Sequence, residues 1–370
     1  MNTAPPLSET GRTDRSALLI GALVPLTRPG WVEAGRHLLA GLDLAVREVN
    51  EGGGINGRPL ELLVRDTAAD PSRAITAVDD LAREGVVALA GEYHSVVARA
   101  AAARADALGV PFLCSSAVLD ALTDGPTRWV ARLPPRQSRG WNLYADFLLD
   151  AGHRHVAVVT QPSIYWAAGA AVLRDRLAAR GATVTELDMR ALAPAAVCDA
   201  VADRRATALL LLVGNPEPAV SLVKSARHDP RLAELLIGAP AGQPEFAAWV
   251  TALGDDGSAI PFLRYLPARL GALGQRTEAA LAERLATAPS FVAFEGYDTV
   301  TVLAEALRSH GADRASVAES WPHLAVPGSR GEIRFSCPPG GGVRQWESAP
   351  MQVVERDPKN SNRFRILHSG

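Results

Sequence analysis

Short apolar runs alternate with helical periodicities along the first 115 residues of the chain. Residues 17–24, Ala-Leu-Leu-Ile-Gly-Ala-Leu-Val, are continuously apolar, which predicts a strand buried on both faces of a parallel sheet. Between Glu33 and Glu51, the residues Leu38, Leu42, Ala45, Val46 and Val49 recur at helical spacing, and Gly52, Gly53 and Gly54 end the helix. Strands are expected at 59–65, 86–90 and 110–113, with amphipathic helices at 71–84 and 94–108. Such βαβ alternation demands right-handed crossovers and builds a doubly wound sheet.

A second series begins at 155–160 and continues through strands at 183–188, 208–213 and 235–238, with helices at 165–180, 195–204 and 217–227. Residues 128–139, which contain Pro134 and Pro135, read as an extended passage between the two units, because proline pairs break helices. A second passage is expected at 259–267, after which helices at 274–286 and 293–309 return the chain to the first unit. Short strands among Gly and Pro clusters, at 331–335, 351–355 and 364–367, end the sequence. The expected fold is α/β, with two doubly wound parallel-sheet lobes joined by a hinge. Lobe 1 is expected at 17–134 plus 268–345, lobe 2 at 135–267 plus 346–370, and a disordered N-terminus at 1–16.

Length agrees with two units, since 370 residues exceed the roughly 250 to 300 at which single cores stop growing. With 38 Lys and Arg against 40 Asp and Glu, no net field favours nucleic acid or an anionic membrane, so small neutral or zwitterionic partners fit better. No apolar run approaches the roughly 20 residues of a membrane-spanning helix, and no direct membrane insertion is expected. The first 16 residues carry Glu9 and Asp14 but neither an apolar signal core nor a lipid-accepting Cys. As written, the chain is expected in the cytoplasm, and exported if its true start or a signal is missing. Cys114, Cys198 and Cys337 have no metal spacing or disulfide framework, and are expected to be buried, inert thiols. No metal or cofactor is expected.

Three features that tempt a catalytic reading have simpler ones. The glycines from Gly52 to Gly57 follow a helix and lack the Lys and Ser/Thr of a phosphate loop. Asp70, before Pro71, suits a helix cap better than a carboxylate pair with Asp66. His94 and Ser95 are neighbours in sequence, whereas a nucleophile and its base must meet in space. No catalytic residue is assigned, and an enzyme of a biosynthetic pathway built on the same scaffold is the alternative function.

Ile20-Gly-Ala-Leu-Val-Pro-Leu-Thr27, Gly41-Leu-Asp-Leu-Ala-Val46, Asn50-Glu-Gly-Gly-Gly-Ile-Asn-Gly-Arg58 and Arg65-Asp-Thr-Ala-Ala-Asp-Pro71 follow one another in a βαβ frame. Gly91-Glu-Tyr-His-Ser95, Val110-Pro-Phe-Leu-Cys-Ser-Ser-Ala117, Tyr165, Glu295-Gly-Tyr-Asp298 and Gly331-Glu-Ile-Arg-Phe335 come after them in order. Together they resemble the type I periplasmic-binding-protein family, in its branched-chain amino-acid, amide and urea branch. The resemblance implies a binding protein that closes around a small polar ligand, with an ABC permease or a cytoplasmic regulatory protein as partner.

The resemblance also implies where the ligand sits. Loops after strands carry ligands in open parallel sheets, which places Ser95 and Ser115, Ser116 and Ala117 at the ligand's polar head. As an alternative, Ser95 and Ser115 are plain helix N-caps. Tyr165 is expected to close over the ligand, with Trp166 narrowing the cleft where the family usually has Gly. Asn215 stands where relatives often use an aromatic, or is a turn residue. Ala241 stands where amino-acid-binding relatives place an acid against the ligand's ammonium, and its neutrality argues against a plain α-amino acid unless Glu92, Glu217 or Glu245 substitutes. An amide, a modified amino acid, another small polar molecule and a branched-chain amino acid all remain open. Trp31 and Trp141 are expected in an aromatic wall or in the core.

Overall fold

β1 (Leu18–Val24) is the apolar run at 17–24, and it is buried because both of its faces are covered. On one face Ile20, Ala22 and Val24 meet Leu38 and Leu42 of α1 (Val32–Glu51); on the other, Leu23 joins the cluster formed by α2 (Pro71–Arg83) and α3 (Ser95–Leu108). The computed structural model describes residues 16–337 and 342–370, so the disorder expected at the N-terminus falls, except for Ser16, outside the described residues.

The first unit continues with β2 (Leu60–Asp66), β3 (Ala88–Gly91), β4 (Phe112–Cys114) and β5 (Val130–Arg132). After β5 come α4 (Gln137–Asp150), β6 (His155–Thr160), α5 (Ile164–Ala178), β7 (Thr183–Asp188), α6 (Pro194–Asp203), β8 (Ala208–Leu212), α7 (Ala219–Arg227), β9 (Leu236–Gly238), α8 (Ala247–Leu253) and β10 (Phe262–Arg264). The chain then forms α9 (Ala272–Leu285), α10 (Phe291–Ser309), α11 (Arg314–Ser320), β11 (Ala325–Gly328), β12 (Gly331–Ser336) and β13 (Arg344–Trp346). It ends in the hairpin β14 (Gln352–Asp357) and β15 (Asn360–Ser369).

The strands form three sheets. One has the order β11-β12-β13-β5-β4-β3-β1-β2, parallel from β2 to β13, with β12 and β11 added antiparallel. A second, parallel sheet has the order β7-β6-β8-β9, and β10, β14 and β15 make a small antiparallel third. The fold is therefore α/β in two lobes, as the βαβ alternation predicts. Between the lobes the chain crosses three times, at residues 133–136, 265–271 and 347–351.

α10 packs along α1 backbone to backbone. A Cβ on Gly41 would lie 1.9 Å from the Ala293 carbonyl oxygen, and one on Gly296 would lie 2.3 Å from that of Leu38. Reciprocal glycines thus let the two helices approach more closely than side chains permit, and they bring the buried polar face of α10 under the β3 and β4 ends.

Three expectations change. The passage at 128–139 is mostly regular, because Val130 and Ala131 are fully buried and pair with β4, while α4 starts at Gln137. Pro134 and Pro135 restrict the residues before them, not the helix after. The passage at 259–267 contains β10, which pairs with β14. Cys114 and Cys198 are buried, with burial pushing the Cys114 thiol up to about 12, but Cys337 is exposed, because it follows the last residue of β12 as the chain leaves the sheet.

Candidate functional site

Loops after β1, β2, β3 and β4 in one lobe and after β6, β8 and β9 in the other enclose a cavity of about 330 Å³. This is the carboxyl edge at which open parallel sheets bind ligands. Four of the residues expected at the ligand line it: Ser95 and Ser116 from the first lobe, Tyr165 and Ala241 from the second.

Ser95 opens α3, and its Oγ accepts from the N–H groups of Val118 and Leu119, each at 3.3 Å. It therefore ties the helix start to the loop after β4, which Arg132 also grips through the Leu119 carbonyl at 2.5 Å. Ser95 and Ser115 make no helix-capping bond: His94 holds the cap position of α3 without a side-chain bond, and Ser115 Oγ accepts from Gly91 N–H at 2.9 Å. The first residues of α3, Ser95, Val96 and Val97, face the cavity. N–H groups of a helix's first turn have no acceptor inside the helix, so they present a partial positive charge there.

Ser115 and Ala117 lie behind the lining rather than in it. Ser115 is wholly buried and its Oγ also accepts from Thr299 Oγ1 at 2.8 Å, while Ala117 N–H donates to the Glu92 carbonyl at 3.1 Å. Both hold the β3 and β4 ends in register. Asn215 lies outside the cavity, in a wider adjoining cleft with Arg28, Glu33, Arg36, His37 and Glu217. Gly214 takes the place in the wall, and the chain turns outward through Asn215 and Pro216.

Aromatic rings supply most of the remaining lining. Trp31 and Tyr93 sit 5.6 Å apart between ring centroids on one side, Tyr165 and Trp166 are 4.7 Å apart on the other, and Tyr265 and Phe291 meet edge-on at 5.1 Å between them. Trp31 belongs to this wall, while Trp141 is core: its buried ring fills the space left by Gly169 and meets Tyr165 edge-on at 5.8 Å. Burial raises the hydroxyls of Tyr93, Tyr165 and Tyr265 above the usual phenol range, so all three remain neutral donors. Tyr93, His94, Tyr265 and Phe291 were not anticipated from the sequence. The placement of an aromatic two residues after the strand-ending Gly91 is the one local signal from which Tyr93 could have been found.

The acids nearest the cavity are already engaged. Glu92 is fully buried and accepts from Thr67 Oγ1 at 2.6 Å and from the N–H groups of Tyr93 and His94 at 2.9 and 2.8 Å. Its Oε1 also faces His94 Nδ1 at 3.2 Å, while His94 Nε2 accepts from Trp31 N–H at 3.4 Å. Glu295 accepts from Ser116 and pairs with Arg330 at 3.3 Å, and burial pushes its carboxyl up to about 8. Glu245 pairs with Arg264 at 2.9 Å and accepts from Phe291 N–H at 3.0 Å. Among the described residues, no group of three His, Cys, Asp or Glu stands ready to hold a metal ion.

Two doubly wound lobes with a cavity between their strand ends define the class of two-lobed binding proteins. Residues 18–357 match the periplasmic binding protein family, and the chain belongs to that family. It is 35% identical over 170 residues to the chemotactic signal transduction system substrate-binding protein BasB of Halobacterium salinarum, covering 43% of this chain and 41% of that protein. The curated relatives it matches are thus spanned over less than half of their length. Among solved structures, it resembles the leucine-binding protein LivK of Thermotoga maritima with a TM-score of 0.81 at 20% identity, over 95% of this chain and 97% of that one. It also resembles a solute-binding protein of an ABC transporter from R. palustris in complex with benzoate, with a TM-score of 0.80 at 18% identity, over 95% and 96% of the two chains. At such identities the likeness is one of fold. No helix among the described residues is long and apolar enough to cross a membrane.

Proposed function

We propose that this protein is a solute-binding protein whose two lobes close around one small organic ligand held in the 330 Å³ cavity. The observation that carries the reading is the composition of the cavity wall, which neither lobe completes alone. A ligand that touches both sides stabilises the closed form by its extra contacts in that form. Lobe 1 comprises 17–134 plus 268–345 and lobe 2 comprises 135–267 plus 346–370, with Trp346 itself still pairing in the first sheet.

Ser95 and Ser116 hold the ligand's polar head, and Tyr165 and Ala241 form the facing wall. Ser115 and Ala117 support that arrangement from behind, and Asn215 lines the mouth. The closed form is the signal that a protein partner reads, an ABC permease in uptake or a receptor in sensing. The leucine- and benzoate-binding folds and the chemotactic relative support a small-ligand role of this kind.

Thermal unfolding of the purified chain against amino acids, amides, ureas and organic acids tests the reading. A ligand specific for the folded form at a hundredfold excess over its Kd adds about 2.7 kcal/mol of stability. Scattering should show a smaller radius of gyration with that ligand, and Ser116→Ala should abolish both effects. A panel without stabilisation or compaction would overturn the proposal.

A further inference from the structure

We propose that the ligand is a monocarboxylate with an aromatic or bulky apolar body and no ammonium group. This rests on the binding-protein reading and deepens it at the same site. Among the described residues, the cavity lining contains no Asp, Glu, Lys or Arg, and His94 is its only titratable nitrogen base.

An α-amino acid needs a counter-charge for its ammonium, because an unpaired buried charge is far costlier than an unpaired dipole. None of Glu92, Glu217, Glu245 and Glu295 lines the cavity, and each already accepts hydrogen bonds elsewhere. Glu92 is enclosed by Thr67, two backbone N–H groups and His94. Glu245 is neutralised by Arg264, and Glu295 shares the fully buried Arg330 with Asp298. Glu217 lies in the outer cleft and accepts from Ser221 Oγ at 2.6 Å. Neutral carbonyls satisfy an ammonium's hydrogen bonds but leave its charge unbalanced.

A carboxylate meets the opposite situation. Ser95, Val96 and Val97 at the start of α3 line the cavity, where first-turn N–H groups carry a partial positive charge, and Ser116 lines it as well with its hydroxyl donating to Glu295. Beyond that head the wall includes six aromatic side chains, Trp31, Tyr93, Tyr165, Trp166, Tyr265 and Phe291. The hydroxyls of Tyr93 and Tyr265 form no hydrogen bond with any described residue, which leaves them to serve a polar substituent on the ligand's body.

Matched probe pairs test this on the full chain by calorimetry: 3-phenylpropionate against L-phenylalanine, and 4-methylpentanoate against L-leucine. Removal of the amino group should tighten binding by about a hundredfold in at least one pair. Ala241→Asp should reverse the preference by restoring a counter-charge. If the variant fails to fold, the parent's probe pairs still decide the matter. Equal or tighter binding of the amino acid by the parent overturns the ligand class but leaves the binding-protein reading intact, as does preference for a quaternary ammonium such as betaine. If no probe binds, the ligand class falls, while the binding-protein reading is decided separately by the wider panel of amides, ureas and organic acids.

Discussion

Ser116 and Glu295, 179 positions apart, share a hydrogen bond on the inner side of the cavity, so a residue of the lining is wired directly to a buried carboxyl on α10. Arg330 faces the same carboxyl, with Asp298 on its other side, and Glu245 adds negative charge from the neighbouring loop. This cluster joins a titratable carboxyl to the cavity lining.

Burial drives Glu295 up to about 8, above its ordinary value of 4.5. Its folded form thus prefers the proton, and the associated stability is complete below about pH 4.5 and lost as pH rises through about 8. Glu295→Gln, a neutral mimic, should remove this component. Between about pH 6 and about 9 the unfolding midpoint of the parent should fall more steeply than that of the variant. Parallel slopes would show that Glu295 does not titrate in that window. An anionic ligand should lose affinity over the same range, as negative charge develops behind Ser116.

Glu33 on α1 spans the lobes, its carboxylate accepting from Ala247 N–H at 2.7 Å and Ala248 N–H at 3.0 Å at the start of α8. Such a cap contributes about 1 kcal/mol. Glu33→Ala should therefore weaken ligand binding about fivefold and increase the radius of gyration without ligand. Unchanged scattering and affinity would remove Glu33 from the closing contacts.

The contact of α1 with α10 depends on Gly41 and Gly296. Gly41→Ala forces the helices apart against the Ala293 carbonyl, and overpacking of this kind costs about 1 to 3 kcal/mol. Denaturant unfolding should show that loss with little change in slope. A loss under about 0.5 kcal/mol would mean that the helices separate freely.

Thiol chemistry should distinguish the cysteines. Burial raises the pKa of both Cys114 and Cys198, whereas Cys337 is exposed. One thiol per native chain should react rapidly with a disulfide reagent, and all three should react after unfolding. Rapid modification of two or more in the native protein would contradict this burial.

The sequence made the lobes legible because the inner strands β1, β3, β6 and β8 of the parallel sheets are mostly apolar runs separated by stretches of helical periodicity. In α4, Trp141, Tyr144, Phe147 and Leu148 are spaced for one face, but Pro134 and Pro135 just before it carry the signature of an extended passage. α10 presented a different obstacle. It buries Glu295, Asp298 and Thr299, and their partners Arg330, Ser329, Ser116 and Ser115 come from elements remote in sequence. Of the residues that line the cavity, the resemblance named Ser95, Ser116, Tyr165 and Ala241. It left out Tyr93, Tyr265 and Phe291, because three separate segments converge only in the folded chain. Asn215 was displaced by one residue of turn geometry that composition does not encode.

The three crossings between the lobes limit how freely one can swivel on the other. With a single tether, much of a small molecule's binding energy would be consumed in arresting random rotation. Under the proposed closing motion, three covalent straps arrest most of it beforehand, which favours one reproducible displacement over a range of shapes.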